Sequence, residues 1–205
     1  MARRLLATLT SLLALASLLL QGWLLAAATV AQGGSVGGAI FTLSGYFTIL
    51  TNAVVAGICA ALARGWAAPA WLTAGTALWI GFVAAVHHLM LANLHDLRGL
   101  WAVADAGLHS AVPLLYLLLW ALLLPKDGLR PLHVLPWAAF PLGYAAQALL
   151  RGGLTGWYPY PFLDVSRLGL GQVLWNAAEL TVLFLAGGAL LIVATRALAR
   201  RRGRG

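Results

Sequence analysis

Residues 5–30 read LLATLTSLLALASLLLQGWLLAAATV, a run without one charged side chain. A helix rises about 1.5 Å per residue and the hydrocarbon layer of a bilayer is about 30 Å thick, so about 20 such residues cross it. Met1-Ala2-Arg3-Arg4 ahead of the run looks like the start of a secretory signal. The run is far longer than the roughly 7–15 residues of a signal's apolar core, so it reads as an uncleaved first span. The rest of the chain has the same character, with 62% hydrophobic and 9% charged residues and a mean hydropathy of +0.90. A soluble domain carries about 25% charged residues because its surface must be wetted. The sequence therefore predicts an all-α, polytopic membrane protein, with 1–205 as a single domain.

Outward from that first run, further apolar stretches lie at 41–63, 70–92, 105–124, 133–150 and 170–195, followed by a basic tail, 196–205. Gly, Pro and charge punctuate them: Gln32-Gly33-Gly34-Ser35, Arg64 to Pro69, Asn93 to Ala104, Pro125-Lys126-Asp127-Gly128 and Arg151 to Gly169. Six transmembrane helices with the N-terminus inside put Arg3, Arg4, Arg64, Lys126, Arg130, Arg196, Arg200, Arg201, Arg202 and Arg204 on the cytoplasmic side. Only Arg98, Arg151 and Arg167 fall opposite, and this asymmetry is what orients membrane proteins. The expected location is a bacterial inner (plasma) membrane with both termini cytoplasmic. The net charge of +8 is then a juxtamembrane anchor for anionic lipid headgroups, not a nucleic-acid surface. Cys59 is the only cysteine, so no internal disulfide can form.

Polar side chains inside a bilayer are costly, so their clustering points to function. Counted at ~1.5 Å per residue from the outer helix ends, Thr48 lies ~10 Å deep, His88 ~6, His109 ~8, Asn176 ~9 and Glu179 ~14 Å. The inner halves hold almost nothing ionisable, which predicts a polar cavity opening toward the outer leaflet. Interhelical hydrogen bonds alone could also account for Asn176 and its neighbours. Glu179 must pair or stay protonated at such depth, with His87 or His88 as partners within reach.

Three segments carry the chemistry. Tyr46-Phe47-Thr48-Ile49-Leu50-Thr51-Asn52 sets Thr48, Thr51 and Asn52 at i, i+3 and i+4 on one helix face. Asp105 and His109 also stand at i and i+4, where the carboxylate can fix the tautomer of the imidazole, or can instead cap the helix. Gly152 to Asp164 is rich in Gly, Pro and aromatics; it reads as a non-helical interfacial belt and a lid, with Tyr158 or Asp164 reaching into the cavity. His87 and His88 are adjacent and point about 100° apart, so the two cannot chelate one ion from the same face. One of them with Asp105 and His109 could still complete a zinc site.

The order of these segments, Tyr46 to Asn52, then Asp105-x-x-Leu108-His109-x-x-x-Pro113, then Arg151-Gly152 with Tyr158-Pro159-Tyr160-Pro161-Phe162-Leu163-Asp164, resembles a bacterial family of six-helix membrane proteins. That family is distantly similar to the mammalian androgen-induced and androgen-dependent TFPI-regulating proteins, intramembrane threonine hydrolases of fatty-acid esters of hydroxy fatty acids. The resemblance implies Thr48 as nucleophile and His109 as the essential histidine, with Thr51 a second candidate nearby. Asn52, His87, His88, Asp105, Tyr158, Asp164, Asn176 and Glu179 are expected to support the site or bind substrate. The partners expected are membrane lipids and a lipid-ester substrate, with no cofactor and no resident metal. Non-enzymatic lipid binding or transport and a His/Asp zinc-dependent hydrolase are the alternatives. A rhomboid-type protease is excluded because the last helix has no histidine, and a retinal protein because Lys126, the only lysine, sits in a turn.

Overall fold

The structure, a computed structural model, describes residues 1–94 and 96–202, with side chains through Ala197. The tail arginines Arg200, Arg201, Arg202 and Arg204 lie outside the described side chains. Every regular element among the described residues is helical. The chain forms two compact units, Met1–Pro125 and Lys126–Gly205.

The first unit holds α1 (Ala2–Ala31), α2 (Val36–Leu43), α3 (Phe47–Ala63), α4 (Ala70–Val86), α5 (Leu100–Ala106) and α6 (Val112–Leu123). A π turn, His87–Leu91, and a short 3₁₀ turn, Ala92–Leu94, prolong α4; a second π turn, Gly107–Ala111, joins α5 to α6 without a break. α1 buries Ala7, Thr10, Ser11 and Ala14, at i, i+3, i+4 and i+7, and then Ser17, which together line one face. Such small side chains let neighbouring backbones approach closely. α3, α5 and the π turn at Gly107 all pack on α1. Ser11 Oγ donates to the Ala56 carbonyl at 2.9 Å. Leu5, Leu9, Leu12, Leu15 and Leu19 remain exposed on α1.

The second unit holds α7 (Val134–Thr155) and α8 (Val165–Arg202), with a 3₁₀ turn at Pro161–Leu163 between them. Four helical segments are long and apolar enough to cross a membrane: Ala2–Ala31, Ala70–Leu94, Leu100–Leu123 and Val165–Ala197. A fifth is counted if α2 and α3 together form one broken span. This is the make-up of an integral membrane protein. α7 is 22 residues long but is not among these segments; Pro136, Pro141, Gln147 and Arg151 dilute its apolar character.

The expected boundaries need several corrections. Residues 41–63 are not one helix: α2 and α3 meet at an angle of 83°. Ser44 Oγ turns back onto the Phe41 carbonyl at 2.7 Å, and Tyr46 is extended (φ −95, ψ 127), so the helix stops and restarts. The fourth span begins at Leu100 rather than 105, after Gly99 at φ 59. This leaves Asp105 inside a helix, where it caps nothing. α7 runs on through Arg151 to Thr155 because the first loop proline is Pro159; Gly156, in the left-handed region at φ 72, then ends it. α8 begins at Val165, earlier than 170, with a kink at Gly169 (φ 75).

Candidate active site

Because the chain breaks at Ser44-Gly45-Tyr46, Thr48 falls in the first turn of α3, at the positive end of that helix's dipole. Its side chain is buried, and Oγ1 lies 3.2 Å from His109 Nε2. On the far side of the ring, His109 Nδ1 lies 2.9 Å from Asp105 Oδ1. An ionised carboxylate can only accept, so the proton of neutral His109 belongs on Nδ1. Nε2 is then the acceptor, and the Thr48 hydroxyl donates to it. Asp105 and His109 side chains are 27% and 15% exposed, enough to be reached and little enough to be shielded from bulk water.

The carboxylate has a second partner. Asp105 Oδ2 is 3.3 Å from His87 Nε2. The rings of His87 and His109 stack with centroids 3.8 Å apart and an interplanar angle of 12°. One carboxylate thus holds two parallel imidazoles, one on each oxygen.

Both histidines sit where an α-helix is locally widened. The Ala92 N–H reaches back to the His87 carbonyl, and the Val112 N–H to the Gly107 carbonyl, each five residues away instead of four. Such π turns are rare and frequent at functional sites. In the same register the Leu108 carbonyl would be served by residue 113, but Pro113 has no N–H. Asn52 fills the gap. Its Nδ2 donates to Leu108 O at 3.2 Å and to Thr48 O at 2.9 Å. One fully buried amide therefore ties the turn carrying Thr48 to the turn carrying His109.

The structure thus brings together Thr48, Asn52, His87, Asp105 and His109. Thr51 is also fully buried, but its hydroxyl has no hydrogen-bond partner among the described residues. His88 is exposed, edge-on to His87, and pairs with Ser110 Oγ at 3.1 Å. The other expected residues belong to the second unit. Tyr158 packs so tightly on Gly152 that a Cβ there would fall 2.0 Å from its ring. Asp164 accepts from the Ser166 and Arg167 amides at 3.0 and 3.3 Å, which caps α8. Asn176 donates to Phe162 O at 3.0 Å, and exposed Glu179 accepts from Trp175 Nε1, one turn earlier, at 2.8 Å.

The His87–His109 stack and the role of Pro113 escape a reading of spacing alone. The one available signal is the proline four residues after His109, which must orphan a carbonyl somewhere on that turn. Comparison of the chain with protein-family models, curated proteins and solved structures finds no match.

Proposed function

We propose that this protein is an intramembrane hydrolase of lipid esters, with Thr48 as nucleophile, His109 as general base and acid, and Asp105 as the group that orients His109. The observation that supports it is the relay Thr48 Oγ1–His109 Nε2, 3.2 Å, and His109 Nδ1–Asp105 Oδ1, 2.9 Å. A threonine hydroxyl is a weak nucleophile until a base takes its proton. Here the proton passes from Oγ1 to Nε2 as Oγ1 attacks the ester carbonyl. The imidazolium that forms faces Asp105, and the positive end of α3 favours the negative charge gathering beside Thr48. Collapse of the tetrahedral intermediate expels the alcohol, which takes the proton from Nε2 and leaves acyl-Thr48. Water, deprotonated by the same nitrogen, then attacks the acyl group; the fatty acid departs and the Thr48 hydroxyl is restored.

The surroundings support a lipid substrate. Leu89, Met90, Leu94, Leu100 and Val103, on the turns that carry the site, expose apolar side chains. Such a surface suits a substrate that arrives from the lipid phase. The resemblance to the threonine hydrolases of fatty-acid esters points the same way. In this reading α7 completes six spans, and both termini face the cytoplasm of a bacterium.

The test is covalent labelling of the purified full-length protein by a fluorophosphonate, together with turnover of a panel of lipid esters. Wild type should be labelled on Thr48, and Thr48→Ala should lose both labelling and turnover. Full ester hydrolysis by Thr48→Ala would overturn the threonine mechanism.

A further inference from the structure

We infer that His87, Asp105 and His109 form a binding site for one divalent transition-metal ion of the zinc class, and that this ion competes with the hydrolytic relay for the same atoms. The competition rests on the proposed function; the site itself does not. One ligand atom from each of the three residues lies within 4.8 Å of the others. Two donors bound at about 2.0–2.1 Å to a tetrahedral ion are about 3.3 Å apart. His87 Nε2 and Asp105 Oδ2 are separated by 3.3 Å, and His109 Nδ1 and Asp105 Oδ1 by 2.9 Å; the two rings, stacked 12° from parallel, must turn toward a common point for one ion to meet a lone pair of each.

The donor set also selects the ion. Two imidazoles and one carboxylate suit zinc, cobalt, nickel or copper, whereas magnesium and calcium take oxygen. The ligands come from two helical rods, 70–94 and 100–123, and both histidines stand in π turns. The sequence offers either His87 or His88 beside Asp105 and His109; the structure places His87 there and turns His88 to Ser110.

The consequence for the relay is a change of tautomer. A metal at Nδ1 of His109 takes the lone pair of that nitrogen, so the proton of neutral imidazole moves to Nε2. His87, bound through Nε2, likewise carries its proton on Nδ1. No net proton is released. Nε2 of His109 now presents an N–H to Thr48, and the threonine has no base.

The experiment uses the full-length protein, purified without a polyhistidine tag, in detergent. Cobalt(II) is titrated while its visible absorption is followed, and zinc(II) is then added. One equivalent of cobalt in a low-coordinate N/O environment, displaced by zinc, is expected. Binding should be lost in both His87→Gln and Asp105→Asn, each checked for monodispersity by gel filtration. Saturating zinc should slow fluorophosphonate labelling of the wild type at least tenfold, and a chelator should restore it. Monodisperse wild type that binds no cobalt overturns the site whatever the variants do, and so does unchanged binding by a folded His87→Gln. Cobalt binding as expected with labelling unaffected by zinc upholds the site and counts against the Thr48–His109 reading.

Discussion

Thr48 and Thr51 stand one turn apart on the same face of one helix, yet only Thr48 meets an imidazole nitrogen. The two therefore make a sharp comparison within one turn. Thr51→Ala should keep most of the labelling rate that Thr48→Ala loses. Thr48→Ser, which keeps the hydroxyl and drops a methyl, should retain part of it. Asp105→Asn leaves the shape but offers an amide to His109 Nδ1, and a loss of about 10²–10⁴-fold is expected, as for a relay whose tautomer is no longer held. Equal labelling of the Thr48 and Thr51 variants would remove the distinction. Spacing placed Thr48, Thr51 and Asn52 on a common face and Asp105 beside His109, and those relations are seen. It could not rank the two threonines, because that depends on where a ring from another helix ends.

At the scale of elements, α1 is the surface on which the site is built. A Cβ added to Gly107 would lie 2.2 Å from Ser17 Oγ and 3.0 Å from Ser17 Cβ. Gly107→Ala should therefore destabilise the fold by about 1–3 kcal/mol, the usual cost of overpacking. Ser17→Gly in the same chain removes both offending atoms and should return most of that loss. Thermal unfolding of the two single variants and the double variant in detergent measures the coupling. If Gly107→Ala melts like wild type, α1 does not press on the π turn. The helices themselves are legible as apolar runs between breakers. The break before Thr48 is not, since Ser44-Gly45 lies within a run that hydropathy alone carries through. Nor are the π turns, whose register is a matter of backbone hydrogen bonds and not of composition.

For the whole molecule, composition alone identifies the class: a chain with so few charges and such long apolar runs folds as apolar helices. Orientation is a separate matter, carried by the lysines and arginines. Reporter fusions after Ala63, Lys126 and Arg200 should report cytoplasm, and fusions after Gln32, Leu97 and Thr155 the opposite side. Reversal at two or more of these positions would end the six-span reading. The pair flanking α7, Lys126 and Thr155, matters most, because that helix is the least apolar of the long ones. Its proline and glutamine content hides it from a hydropathy test while leaving its 22-residue length sufficient to cross.

Each π turn has one more residue than its helix needs. Residues on its two sides are therefore out of phase by about 100° with those of an uninterrupted helix. With one residue fewer in each rod, the flanking segments could still lie along the same axes, with the same apolar outer surface. The histidines would face elsewhere. The meeting of His87, Asp105 and His109 is thus a matter of counting: two surplus residues separate it from a run of plain helices.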